Sequence, residues 1–220
     1  MKKYIILVII LSFQLTTRCQ DTLKYFEGII TYKMSHKVLN SEIDEEKVAA
    51  VYGDQMTLTF KNGFGRKEYY YKGKLKQVRQ YHPIKTLNSQ YFLAIDTIYQ
   101  YHPYKNDFNI IEYKILADTI IDSITLSGIR IKTNYKKNLS DTMTYIYYFY
   151  NKLRVNPQWY KDFAEGDWNK IIIDKKSLCY FFSIETTHRY INYYKIVDIQ
   201  WKKIDDKEFE LPKLYIKSID

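Results

Sequence analysis

Ile129-Arg130-Ile131-Lys132-Thr133-Asn134-Tyr135-Lys136 reads as a strand with two unlike faces. Ile129, Ile131, Thr133 and Tyr135 fall on one side and Arg130, Lys132, Asn134 and Lys136 on the other, because successive strand side chains point to opposite faces. Such alternation belongs to an antiparallel sheet with a dry and a wet side. Working outward, the same period recurs in Phe26, Gly28, Ile30, Tyr32 and Met34, and in Met56, Leu58 and Phe60. It returns in Leu178, Tyr180, Phe182 and Ile184, and in Ile191, Tyr193, Val197, Ile199 and Trp201.

Turn residues stand between these runs. Asn62-Gly63 precedes Phe64 to Tyr71, and Lys72-Gly73-Lys74 leads into Leu75 to Tyr81, which predicts a three-stranded meander. Two segments read as helical. Ser41 is expected to cap a helix over Ile43, Val48 and Val51, with Glu42, Asp44, Glu45 and Glu46 in its first turns and Gly53 beyond its end. Asn156 and Pro157 open a shorter one carrying Trp159, Tyr160 and Phe163 and stopping near Gly166. The expected fold is mainly β within the α+β class: a large antiparallel sheet with one or two short helices.

The N-terminus reads as a secretory signal: Lys2 and Lys3, the apolar run Tyr4 to Phe13, then a polar stretch to Gln20. That run holds about ten residues where a membrane span needs about twenty. The boundaries predicted are 1–19 for the signal peptide and 20–220 for a single β-rich domain. Cys19 has two readings. Cleavage after it makes Gln20 the first mature residue, whereas a lipobox cysteine would be acylated and anchor the protein to a membrane. The soluble reading is favoured, because Thr16 and Arg18 stand where a lipobox has an aliphatic and a small residue. Either way Cys179 is the one thiol left in the body, so a core must stabilise the fold without disulfides. A hydrophobic content of 46% with 17% aromatic residues excludes a disordered chain.

Removing Lys2, Lys3 and Arg18 takes the formal charge from +9 to +6. The excess is spread over Arg66 and Lys67, Lys72, Lys74 and Lys76, Lys136 and Lys137, Lys175 and Lys176, and Lys202 and Lys203, and is expected at turns or on a solvated sheet face. Export argues against nucleic acid as a partner and leaves anionic head groups of a membrane, which attract each nearby cation by about 1 kcal/mol.

Tyrosine is the unusual ingredient, with 24 residues and a peak at Met143-Thr144-Tyr145-Ile146-Tyr147-Tyr148-Phe149-Tyr150. Both faces of this strand are aromatic, so one is expected to line the core and the other to meet a helix, ligand or partner. A tyrosine ring buries area while its hydroxyl keeps a hydrogen bond, which suits a half-wet cavity. Chemistry-bearing motifs are scarce. His82 and His102 sit in the repeated tetrapeptide Gln80-Tyr81-His82-Pro83 and Gln100-Tyr101-His102-Pro103, a weak zinc candidate with Asp96 or Asp107; the plainer alternative is a proline ending each strand. No nucleophile elbow, zincin motif or phosphate loop occurs, and Cys179 inside a strand reads as a buried, inert thiol. Asp followed by Thr or Ser and an aliphatic residue or Met recurs at Asp21, Asp96, Asp118, Asp122 and Asp141. This pattern is similar to the acceptor of an O-glycosylation system used on exported proteins of some Gram-negative bacteria.

Several stretches resemble a family. The strand Phe26-Glu27-Gly28-Ile29-Ile30-Thr31-Tyr32, the strand Ser127-Gly128-Ile129-Arg130-Ile131-Lys132, the segment Tyr160 to Ile173 and the ending Ile199 to Pro212 look like exported GLPGLI-type and LolA/LolB-like lipoprotein carriers. At the family's name-motif this chain has Ala164-Glu165-Gly166-Asp167-Trp168-Asn169-Lys170-Ile171, keeping one glycine and the aliphatic end. The resemblance implies a LolA-like curved half-barrel closed by helices over an apolar cavity, with no catalytic residue and no cofactor. It further implies a periplasmic or outer-membrane-associated location in a Gram-negative envelope. The expected function is non-catalytic binding of an apolar or amphipathic ligand, such as an acyl chain or lipoprotein, on the concave face. Tyr145, Tyr147, Phe149, Tyr180, Phe182, Tyr193 and Trp201 are the candidate ligand residues. Two alternatives stay open: an envelope scaffold binding another protein or glycan, and a metal-dependent hydrolase.

Overall fold

In the computed structural model, residues 24–104, 107–187 and 189–219 are described. Twelve strands form one sheet in the order β12-β6-β5-β4-β3-β2-β1-β11-β10-β9-β8-β7. In chain order they are β1 (Gly28–Val38), β2 (Gln55–Lys61), β3 (Phe64–Tyr71), β4 (Lys74–His82), β5 (Leu87–Phe92), β6 (Thr97–Tyr101) and β7 (Phe108–Ile121). There follow β8 (Ile124–Tyr135), β9 (Thr142–Arg154), β10 (Ser177–Thr186), β11 (Tyr190–Trp201) and β12 (Tyr215–Ser218). Two short helices accompany them, α1 (Glu45–Tyr52) and α2 (Trp168–Lys175). The sheet is curved and open, the half-barrel form expected of a LolA-like fold. All pairings are antiparallel except β12 with β6.

Both predicted hairpin turns form. Asn62 and Gly63 take φ of 48° and 83°, and Lys72 and Gly73 take 48° and 72°, the left-handed pair that a two-residue hairpin requires. The predicted alternation holds where no bulge intervenes: Ile30, Tyr32 and Met34, Met56, Leu58 and Phe60, and Ile129, Ile131 and Thr133 are all buried. It is interrupted twice. Register shifts at Cys179–Phe181 in β10 and opposite Thr31/Tyr32 in β11 each add one residue, and a one-residue slip moves every later side chain to the other face. Ahead of the extra residue Val197, Tyr194 and Ile196 belong to the core in place of Tyr193, and Ile199 after it packs there as expected; in β10 Leu178 and Tyr180 both stay in the core.

The helices also depart from expectation. Asp44, not Ser41, caps α1 by accepting from the Glu46 N–H at 2.8 Å, since Asn40 already ties Ser41 and Glu42 into a turn. Pro157–Tyr160 is a 3-10 turn capped by Asn156, and Gly166 does not end the helical segment. Gly166 and Asp167, with φ of 63° and 56°, redirect the chain into α2, which buries Ile171 and Ile172.

The C-terminal stretch backs the β2–β6 side. The Gln80 side chain donates to the Phe209 carbonyl at 2.6 Å, Lys61 to the Ile204 carbonyl at 2.7 Å, and Arg66 to those of Glu208 and Glu210 at 3.2 and 3.4 Å. Leu211 and Leu214 pack on Val78, Tyr91 and Ile98 before β12 joins the sheet edge. Among the described residues no helix is long and apolar enough to cross a membrane.

Candidate functional site

Cross-strand register fixes which side chains share the inner face. One row runs Ile199, Ile30, Leu58, Lys67, Arg79, Gln90, Tyr99 from β11 to β6, passing from aliphatic to cationic to polar. The neighbouring rows carry Phe60, Gly65, Tyr81, Asn88 and Tyr101, and Tyr32, Met56, Tyr69 and Gln77. These rows and the inner faces of β8 to β11 enclose a cavity of about 390 Å³, within the usual range of small-molecule sites.

Aromatic rings line one wall. Tyr145 and Tyr147 lie parallel with centroids 5.9 Å apart, Tyr147 meets Phe182 at 6.1 Å, and Phe182 stacks on Tyr194 at 4.1 Å. Tyr32 closes the line against Phe182 at 5.8 Å and donates its hydroxyl to the Cys179 carbonyl at 2.7 Å. The hydroxyls of Tyr147 and Tyr194 find no hydrogen-bond partner among the described residues; both residues line the cavity, and burial pushes both hydroxyls well above the usual tyrosine range. Burial likewise pushes the Cys179 thiol up, which keeps it protonated and unreactive.

A strap from Asn156 to Lys175 crosses between the two sides. Tyr160 stacks on Tyr81 at 5.3 Å, Phe163 meets Tyr81 edge-on at 4.7 Å, and Trp168 meets Tyr147 at 5.8 Å. The N–H groups of Ala164 and Glu165 both donate to the Pro103 carbonyl, at 2.7 and 3.1 Å. Glu165 is thereby held against the cavity, where its carboxylate accepts from Asn88 Nδ2 at 3.0 Å and from the Tyr101 hydroxyl at 3.3 Å. Burial raises the Glu165 pKa, opposed by the Tyr101 hydrogen bond and by the charges of Arg79 and Lys67.

Of the candidate ligand residues, Tyr145, Tyr147 and Phe182 line this cavity and four do not. Phe149 is sealed under α2 with Ile129, Ile131, Ile171 and Cys179. Tyr180, displaced by the β10 bulge, donates to Asp122 at 2.8 Å and packs on Tyr150. Tyr193 lies against Phe181 on the outer face, and Trp201 packs on Phe26 at the end of the sheet with 49% of its surface exposed. Sequence reasoning missed Tyr32, Tyr194, Lys67, Arg79 and Glu165. Lys67 is solvent-exposed, as expected of the basic runs, and so is Arg79; register places both in the inner-face row and Arg66 on the other face. His82 packs at a tilt against Phe64 at 4.5 Å, while His102 stacks on Tyr104 at 5.0 Å and hydrogen-bonds the Thr86 carbonyl at 2.8 Å. Among the described residues no three His, Cys, Asp or Glu side chains gather as metal ligands would. Cys19 and Gln20 lie outside the described residues.

No protein-family model matches the chain, and no curated protein matches its sequence. Among solved structures the chain is similar to PNGF-II at 10% identity and a TM-score of 0.43, covering 87% of this chain and 32% of that one. The chain thus spans under a third of that protein's length, 32%. It is also similar to a "putative outer membrane lipoprotein-sorting protein domain from Vibrio parahaemolyticus" at 9% identity and a TM-score of 0.30, covering 83% of this chain and 89% of that one.

Proposed function

We propose that this is an exported envelope protein that holds an apolar or amphipathic ligand inside its curved sheet without transforming it. The observation that carries this reading is the cavity of about 390 Å³ walled by Tyr32, Tyr145, Tyr147, Phe182 and Tyr194 and crossed by the strap. A core folded only for stability would fill such a volume with side chains, since interiors pack to crystal-like density. Burying apolar ligand surface against these rings gains about 25 cal/mol per Å². Native mass spectrometry of protein purified from the envelope tests the proposal. The expected spectrum shows a bound lipid-sized mass and a chain beginning at Gln20. A ligand-free protein that also takes up no added amphiphile overturns the binding reading, and retention of residues 1–19 overturns export.

A second reading, an interaction protein of the envelope, is favoured by β7. Among the described residues this edge strand pairs only with β8, and it exposes Ile111, Tyr113, Ile115 and Ile120, the last two at 68% and 72%. A loss of self-association or partner capture on Ile115→Lys, with amphiphile binding retained, would assign that role to the edge.

A further inference from the structure

Lys67 of β3 and Arg79 of β4 stand directly opposite each other on the inner face. In a directly opposed antiparallel pair the Cβ atoms are about 5 Å apart, and like charges there destabilise the sheet. Both are solvent-exposed, and their charges reach the Glu165 carboxylate of the cavity lining without an ion-pair contact. Arg79 lies over the Tyr69 ring at 5.8 Å, and neither cation has a salt bridge among the described residues. Arg66, one residue away on the other face, is paired with Glu68 at 2.8 Å and bonded to the C-terminal stretch. Glu165, the one carboxylate of the cavity lining among the described residues, is engaged by Asn88 and Tyr101.

Resting on the cavity-binding reading above, we infer that Lys67 and Arg79 form a seat for the anionic head, carboxylate or phosphate, of a single-chain amphiphile whose chain lies along the aromatic wall. The row in which they sit supplies the polarity gradient that such a molecule needs, from Ile30 and Leu58 through the two cations to Gln90. The cavity of about 390 Å³ has room for one alkyl chain of the length of the probes used below.

The test is displacement of the neutral dye Nile red from the purified protein by three ten-carbon probes: decanoate, decanol and decyltrimethylammonium. Decanoate is expected to bind about tenfold tighter than decanol, with the ammonium weakest, because a charge-assisted contact is stronger than a neutral one. The advantage should shrink with added salt, and in K67M/R79M decanoate should fall to the affinity of decanol. Decanol binding as tightly as decanoate in the parent protein overturns the anion seat while leaving the cavity reading intact. Binding of none of the three overturns the cavity reading itself. The parent comparison needs no variant, so a K67M/R79M chain that fails to fold still leaves the inference decided. Alkyl phosphate against decanoate then separates the two head groups.

Discussion

The two sides of the sheet close on one cavity with opposite chemistry. On the β8–β10 side, Ile129, Ile131, Phe149 and Cys179 are packed dry against Ile171 of α2. On the β3–β6 side, Lys67, Arg79, Gln90 and Asn88 face the same space, and the apolar packing lies behind the sheet, where Leu211 and Leu214 cover Val78, Tyr91 and Ile98. The difference teaches how an open half-barrel can be stable and still receptive: one side builds its core within the curve, while the other moves its core to the outside. Stability and recognition should therefore separate on substitution.

The largest expected effect is on the dry side. Phe149→Ala empties a fully enclosed site and should cost about 3–5 kcal/mol of stability, read as a lower urea midpoint with an unchanged slope. Arg79→Ala, equally inside the curve, should stay within about 0.5 kcal/mol. Equal losses from the two substitutions would break the contrast.

Next comes the contact that joins the sides. Gly63, in the β2–β3 turn at φ 83°, lies so close to the strap that an added Cβ would come 2.6 Å from Trp159 Cβ. Gly63→Ala should cost about 1–3 kcal/mol through the left-handed backbone and overpacking together. It should also shift the tryptophan emission, because the strap must move. An unshifted urea midpoint and emission would mean that the strap is not seated on this turn.

The legibility of these features in the sequence divides along the same line. Alternation placed Ile30, Tyr32, Met56, Leu58, Ile129 and Ile131 on buried faces, and Asn62-Gly63 and Lys72-Gly73 marked real hairpins, because both signals are local. The bulges are not local. In β10 the extra residue beside Cys179 keeps the buried Tyr180 out of the cavity lining, and in β11 the shift near Val197 exchanges Tyr193 for Tyr194. The cationic pair is hidden in the same way. Counting back from the Lys72-Gly73 turn pairs Lys67 with Val78, and only the shift between Tyr69 and Tyr70 brings Arg79 opposite it. Glu165 belongs to a strap that reaches the cavity through tertiary contacts, so no spacing announced it.

Glu165 gives the wet side a pH signature. Its folded pKa is raised, chiefly by burial, so the folded chain holds a proton that the unfolded chain releases between the two values. Stability from this group is therefore greatest below the unfolded carboxyl range of about 4.3 and declines as pH rises through the folded value. Glu165→Gln should remove that decline. The stability difference between parent and variant, measured by urea unfolding from pH 4 to pH 8, should move steadily against the parent; a difference independent of pH would sink the assignment.

The smallest effect has the unusual sign. Removing a charge normally leaves stability unchanged or lowers it, but Lys67 faces Arg79 directly. Lys67→Met keeps the length of the side chain and removes the repulsion, so it should stabilise the fold by about 0.2–1 kcal/mol. The measurement is best made in a Glu165→Gln background, where no cavity carboxylate offsets the repulsion, and the gain should shrink as salt screens the pair. Arg66→Ala, on the opposite face of the same strand, should destabilise, because it releases Glu68 and the Glu208 and Glu210 carbonyls. If Lys67→Met destabilises as Arg66→Ala does, the inner cations serve the fold, and the division between a packed side and a receptive side does not hold.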